Sequence, residues 1–171
     1  LSLRSWNLIE NDLNIFNANI KALSEPRGIN FWSYYFYKTD FILWYLKAGE
    51  KGNDWQNYRM TKKNSVEHIS PQKKREYDEN ILWEEDENLS DDEKKKRLDD
   101  FGNLVLLAVG MNSEYSNKSF AEKRTSFFEK KRLDSIKSAL IFENQKWNWS
   151  LCQQNRNEII ALFNEYFRKT M

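Results

Sequence analysis

The apolar positions of the chain begin in a helical rhythm. From Trp6 they recur at Ile9, Leu13, Phe16, Ile20 and Leu23. These alternating steps of three and four place all six on one face of a helix, which Pro26 and Gly28 end. The stripe covers fewer than three heptads, so it predicts an ordinary core-facing helix and not a coiled coil. A second helix is expected from about Asn30 to Lys47, with Trp32, Tyr35, Phe36, Ile42, Leu43 and Leu46 turned inward and Gly49 and Gly52 closing it. Its rings follow helical spacing, which favours core packing over a base-stacking platform with rings on an open surface.

Beyond a polar stretch anchored by Trp55 and Tyr58, the pattern changes to short extended runs. A strand is predicted over about Ser65 to Ile69, and an apolar strand that can pair with it over Leu104 to Ala108. Between them lies a highly charged segment, Lys73 to Asp100, in which Ser90-Asp91-Asp92-Glu93 has the capping-box pattern that starts a short helix through Leu98. The run Lys94 to Arg97 is interleaved with acids and reads as a solvated helix surface. After the second strand a loop leads to Ser119-Phe120-Ala121-Glu122, another capping box, and a helix from Phe120 to about Lys131. Two further helices are expected, over about Leu133 to Phe142 and from a Ser150 cap to about Arg168, with Ile159, Ile160, Phe163 and Phe167 buried. Strand, connection, strand, loop and helix make a ββα plan. The expected fold is therefore α+β and mainly helical, a short antiparallel hairpin set in a shell of helices.

Composition narrows the function classes. Seven Trp, eight Tyr and eleven Phe supply a real core for 171 residues, enough for one domain. Basic and acidic residues number 27 and 26, so any grip on nucleic acid must come from local patches. The single cysteine, Cys152, excludes an internal disulfide framework, and with one histidine it excludes a four-ligand Cys/His structural zinc site. No apolar run approaches the roughly 20 residues that span a bilayer, and the basic-then-apolar start of a signal peptide is missing. The expected location is cytoplasmic, without membrane. Opening on Leu1 rather than Met predicts a piece of a longer polypeptide.

The candidate chemistry centres on Val66-Glu67-His68-Ile69-Ser70-Pro71-Gln72, which holds the sole histidine with a carboxylate immediately before it. Adjacent side chains on a strand point to opposite faces, so Glu67 and His68 can flank a substrate from two sides. Near its ordinary pKa of about 6.5, a histidine suits removal of a proton from water. Glu67 and the carboxamide of Asn112 are hard oxygen donors that can hold one Mg²⁺ while leaving most of its positions to water and phosphate.

Glu67-His68-Ile69-x-Pro71, then Asn103-Leu104-x-Leu106, then Asn112 nine positions after Asn103, then a capped helix with early basic residues, resembles the HNH (ββα-metal) nuclease motif. The version it resembles is the C-terminal nuclease domain of GmrSD-type, modification-dependent restriction enzymes, and the Asn-to-Asn spacing is also similar to the HNH domains of CRISPR effector nucleases. The resemblance is tight over about Val66 to Arg124. It is looser at Trp147, Trp149 and the final helix bearing Arg156.

The resemblance implies a Mg²⁺- or Mn²⁺-dependent endonuclease hydrolysing DNA, including modified phage DNA, with His68 as general base and one metal ion. It also implies a role in restriction and anti-phage defence. His68, Asn103 and Lys123 are accordingly the expected catalytic set, with Asn103 steadying the segment that carries the base. Glu67 and Asn112 are the expected metal ligands, and Lys118, Lys123 and Arg124 the expected nucleic-acid contacts. Many relatives carry Asp and His where this chain has Glu67 and Asn112, which leaves metal preference open.

The domain divides into a helical N-terminal region (residues 1–60), a ββα-metal core (about 64–131) and a helical C-terminal region (132–171). The family's N-terminal nucleotide-hydrolysing domain has no counterpart signature here, so it would belong to a missing segment or a partner chain. Rival readings are a non-catalytic helical module binding DNA or a partner, and an RNA-directed nuclease.

Overall fold

A computed structural model describes residues 19–73, 81–83, 86, 88–115, 117–130 and 133–170. Besides a helical stretch at residues 19–24, the described residues form seven helices of four or more residues and one two-stranded sheet. In chain order they are α1 (Ser33–Lys51), α2 (Asn53–Gln56), β1 (Ser65–His68), α3 (Asp91–Leu98), β2 (Leu104–Leu107), α4 (Val109–Tyr115), α5 (Phe120–Phe128), α6 (Ile136–Phe142) and α7 (Trp149–Thr170). The stretch at 19–24 is the end of the expected first helix, which lies otherwise outside the described residues. The fold is mainly helical with a short antiparallel hairpin among the helices, as the sequence predicts.

β2 organises the core. Its four residues are all buried, and the alternation of a strand sends them two ways. Leu104 and Leu106 enter one apolar cluster with Phe31, Phe36, Phe101 and Ile159. Val105 and Leu107 enter another with Ile69, Phe120, Phe142 and Trp147. β1 pairs antiparallel with β2 in the register Val66↔Leu106, Glu67↔Val105 and His68↔Leu104. Glu67 thus shares a face with the second cluster and His68 with the first.

Several local expectations are corrected by tertiary packing. α1 runs through Gly49 and stops only at Gly52, whose positive φ of 87° ends the helix. Trp32 is not inward but 73% exposed, because it precedes the helix as its N-cap residue. The expected loop after β2 contains α4. α6 begins at Ile136, where the Ser135 side chain accepts a hydrogen bond from the Ser138 amide. The last helix is capped by Asn148, whose Oδ1 accepts from the Leu151 amide at 2.9 Å, and not by Ser150. Gly102 is required by close approach: a Cβ there would collide with the Cys152 carbonyl oxygen at the start of α7.

Charged groups are buried as pieces of the frame. Asp40 accepts from Tyr58 Oη at 2.8 Å and from the Lys137 amide at 2.8 Å, and Lys63 donates to Tyr58 Oη at 2.7 Å. Lys137, 1% exposed, donates its ammonium to the carbonyls of Phe101 and Leu104, tying α6 to the entry of β2. Burial pushes Lys137 down to about 7, against Cys152, Asp100 and Asp40, which favour its charged form. In an unfolded chain a lysine keeps its proton to about pH 10.4.

Between those values the unfolded state binds more protons than the folded one, so stability rises with pH; the cost of burying Lys137 is fully present below pH 7 and fades above it. Urea unfolding at pH 7 to about 8.5 should therefore show stability rising by up to about 1 kcal/mol per pH unit. The slope should vanish in Lys137→Met, and the same slope in that variant would show that another group is responsible.

Candidate active site

The site is built on the end of β1 and the residues that follow it. Asn103 is fully buried where a short 3-10 turn, Phe101–Asn103, meets β2. Its Oδ1 accepts from the Ser70 amide at 2.9 Å and from Trp147 Nε1 at 3.0 Å, and its Nδ2 donates to the Leu98 carbonyl at 3.0 Å. Its own carbonyl accepts from the Ile69 amide at 2.8 Å. One side chain therefore joins the segment after His68, the end of α3 and the approach to α7. Trp147 is buried and stacks on Phe120, with ring centroids 5.8 Å apart and planes 13° from parallel.

Glu67 and His68 leave the strand on opposite faces and meet different partners. Lys123, the first inward-pointing cation of α5, is fully buried; its Nζ donates to Glu67 Oε1 at 2.9 Å and to the His68 carbonyl at 2.6 Å. Burial pushes the Glu67 carboxyl up while Lys123 opposes that shift. The His68 side chain is 6% exposed. Its Nε2 lies 3.2 Å from Asp99 Oδ1 and its Nδ1 3.2 Å from Gln72 Nε2. Burial holds the imidazole below its ordinary value, with Asp99 opposing, so the neutral ring that can accept a proton is the favoured form.

The expected nucleic-acid contacts are divided by their surroundings. Lys123 cannot reach a phosphate from its place in the core, because its ammonium is already engaged inside. Lys118 is half-buried, with Nζ 3.4 Å from Ser126 Oγ. Arg124 is half-buried, donates from Nε to the Phe142 carbonyl at 2.9 Å, and lies over the Phe128 ring at 4.8 Å. The backbone of Asn112 lies in α4, which packs beside β1, and its side chain lies outside the described residues. The run Lys94 to Arg97 is more than solvated surface. Arg97 donates to the Leu82 carbonyl at 2.9 Å, pairs with Asp86 at 2.5 Å, and lies over Trp149 at 5.0 Å.

Among the described residues no group of three or more His, Cys, Asp or Glu could hold a metal ion. A carboxylate accepts at several lone-pair sites, so Glu67 keeps capacity beyond its bond to Lys123. A carboxylate with acceptor capacity to spare suits Mg²⁺, which keeps several waters and uses one or two carboxylates. It does not make an all-protein cage.

Asp99 and Gln72 complete the surroundings of His68, and the sequence pattern singles out neither. Asp99 stands at the end of a charged helix among many acids, and only proximity distinguishes it. Gln72 lies four residues beyond His68, within the same short stretch, and is the one that a local reading could have found. Asp100 resembles Asp99 in this respect: it pairs with Arg156 of α7 and accepts from the Gly102 amide at 2.8 Å.

Residues 19–162 match the family described as GmrSD restriction endonucleases, C-terminal domain. No curated protein and no solved structure shows a significant match.

Removing the Asn103 side chain would break its interior hydrogen bonds to the Ser70 amide, the Trp147 indole and the Leu98 carbonyl, each loss costing about 1–3 kcal/mol. Asn103→Ala should thus lose about 3 kcal/mol or more in urea unfolding. A loss under about 1 kcal/mol would mean that this amide does not hold the three segments together.

Proposed function

The chain belongs to the family of GmrSD restriction endonuclease C-terminal domains, and from that premise we propose that it is a Mg²⁺-dependent DNA endonuclease with His68 as general base. Membership places it among nuclease-type enzymes acting on nucleic acid. The observation that carries the finer reading is the sole histidine, kept neutral by burial at the end of β1, one residue from the half-desolvated Glu67.

Phosphodiester hydrolysis needs a nucleophilic water, countercharge for the transition state and help for the departing oxygen. His68 takes the proton from the attacking water. The ring nitrogen that accepts it must be bare, and with Asp99 beside Nε2 that nitrogen is Nδ1, which the Gln72 amide nitrogen approaches to 3.2 Å. Gln72 would have to yield that place to the water, since one ring lone pair accepts one hydrogen bond.

Glu67, with Asn112, would hold the metal ion, which supplies charge stabilisation for the phosphoryl oxygens when bound. Lys123 acts as a positioning residue. From the core it fixes the Glu67 carboxylate and the backbone of His68 together, so the ligand and the base keep a set relation. Asn103 does the same for the segment after the base.

On plasmid DNA, cleavage should require Mg²⁺ or Mn²⁺ and stop with chelator, and His68→Ala should lower the rate by about 10²–10⁴-fold while the fold and DNA affinity persist. Wild-type cleavage by folded His68→Ala would remove His68 from the mechanism.

Lys118 and Arg124 remain the proposed phosphate contacts. Each, replaced by Ala, should reduce the slope of log affinity against log salt by about 0.9 on duplex DNA. Lys123→Met, which alters no surface charge, should leave the slope unchanged. A larger change from a Lys94/Lys96 double alanine variant would move the binding face to α3.

A further inference from the structure

The carboxylate of Asp99 sits between three groups from separate segments of the chain. Oδ1 faces His68 Nε2 at 3.2 Å, and Oδ2 is ion-paired with Lys95 one turn earlier on α3. The third neighbour is Gly28, which donates its amide to the Asp99 carbonyl at 3.0 Å. Gly28 has a φ of 54°, and a Cβ there would lie 2.6 Å from Asp99 Cγ. The carboxylate occupies the space that a side chain at position 28 would need. A residue that ends a helix in the sequence pattern is thus also the clearance for an acid beside the candidate base.

The Asp99 carboxylate selects one tautomer of the imidazole. A carboxylate only accepts, so Nε2 beside it carries the hydrogen and Nδ1 is left bare; the Gln72 amide nitrogen, 3.2 Å from Nδ1 and 3.5 Å from Nε2, lies near both and does not choose between them. Turning the Gln72 amide over does not alter that choice, because a hydrogen on Nδ1 would leave a bare Nε2 facing the Asp99 carboxylate. That arrangement sets two acceptors against each other.

We propose that Asp99 is a positioning residue for the nuclease reaction, holding the His68 ring in the Nε2–H tautomer so that the Nδ1 lone pair is left for the water's proton, and that Gly28 is the clearance that permits it. A carboxylate that orients an imidazole in this way fixes both its tautomer and its direction. The inference rests on His68 as general base for its catalytic consequence, while the tautomer itself depends on neither DNA nor metal.

The chain has one histidine, so its imidazole nitrogens are observed by ¹⁵N NMR without ambiguity. In the wild type above the histidine's titration range, Nε2 should give the protonated, pyrrole-like signal and Nδ1 the bare, pyridine-like one. Asp99→Asn, which can turn an amide donor toward Nε2, should bring the Nδ1–H tautomer into the spectrum. It should also lower kcat about tenfold to a hundredfold with DNA affinity unchanged. Gly28→Ala, which moves the carboxylate without altering any ionisable group, should produce the same spectral change in the fraction that folds by circular dichroism. If Gly28→Ala does not fold, Asp99→Asn decides the matter alone.

An unchanged Nε2–H signal in folded Asp99→Asn overturns the proposal, whatever the rate. A changed tautomer with an unchanged kcat overturns its catalytic half. Cleavage surviving in His68→Ala overturns the general-base reading and with it the catalytic half, and leaves the tautomer result standing by itself. These outcomes separate failure of the Asp99 assignment from failure of the nuclease mechanism.

Discussion

The Asn103 side chain is the fixed point of this structure. An amide buried without partners would cost more than most single contacts contribute, and here its two polar atoms reach three different segments of the chain. The segment that follows His68, the end of α3 and the indole ahead of α7 are therefore held in one relation. Because Asp99 follows directly on Leu98, whose carbonyl Asn103 holds, the same amide also sets how closely that carboxylate approaches His68. The candidate site inherits its geometry from this buried polar joint more than from the two short strands.

β2 adds a second constraint. A strand of four residues buried on both faces divides the interior in two, and the neighbouring strand must place successive side chains into those two environments. Glu67 meets the side of α5 and finds Lys123; His68 meets the side of the N-terminal residues and α3 and finds Asp99. Their protonation preferences follow from that division. Both are desolvated, but the carboxylate has a buried cation to offset the cost and the imidazole has a carboxylate. A one-residue slip of the hairpin would exchange the partners, so register and chemistry are the same constraint here.

The helical shell contributes by supplying fixed attachment points. α6 brings Lys137 to the start of β2, α7 brings Arg156 to Asp100, and the close contact of Gly102 with the beginning of α7 leaves no room for a side chain between them. These buried polar and ionic contacts surround the turn that carries Asn103. Buried charges of this kind are not free stabilisation, since desolvation offsets much of the attraction. What they add is specificity of position for the turn.

The sequence by itself determined the helical periodicity, the two capping boxes at Ser90 and Ser119, the apolar strand at Leu104 and the group Glu67, His68, Asn103 and Lys123, which the fold brings together. Those features are local or carried by a motif with fixed spacing. The side-chain surroundings are not legible in the same way. Along the chain Lys123 reads as a surface cation, because a basic residue in a first helical turn usually is one, and only the packing of α5 on the hairpin puts it in the core. Asp99 is one acid among many, and Gly28 a helix breaker, until the fold places residues about thirty and seventy positions away around one carboxylate. Trp32 goes the other way, from expected core to exposed cap, because helical phase alone does not locate the first turn. The sequence carries periodicity and motif spacing because both are written along the chain; which charge is buried, and against what, depends on distances across it, and only the tertiary structure decides those.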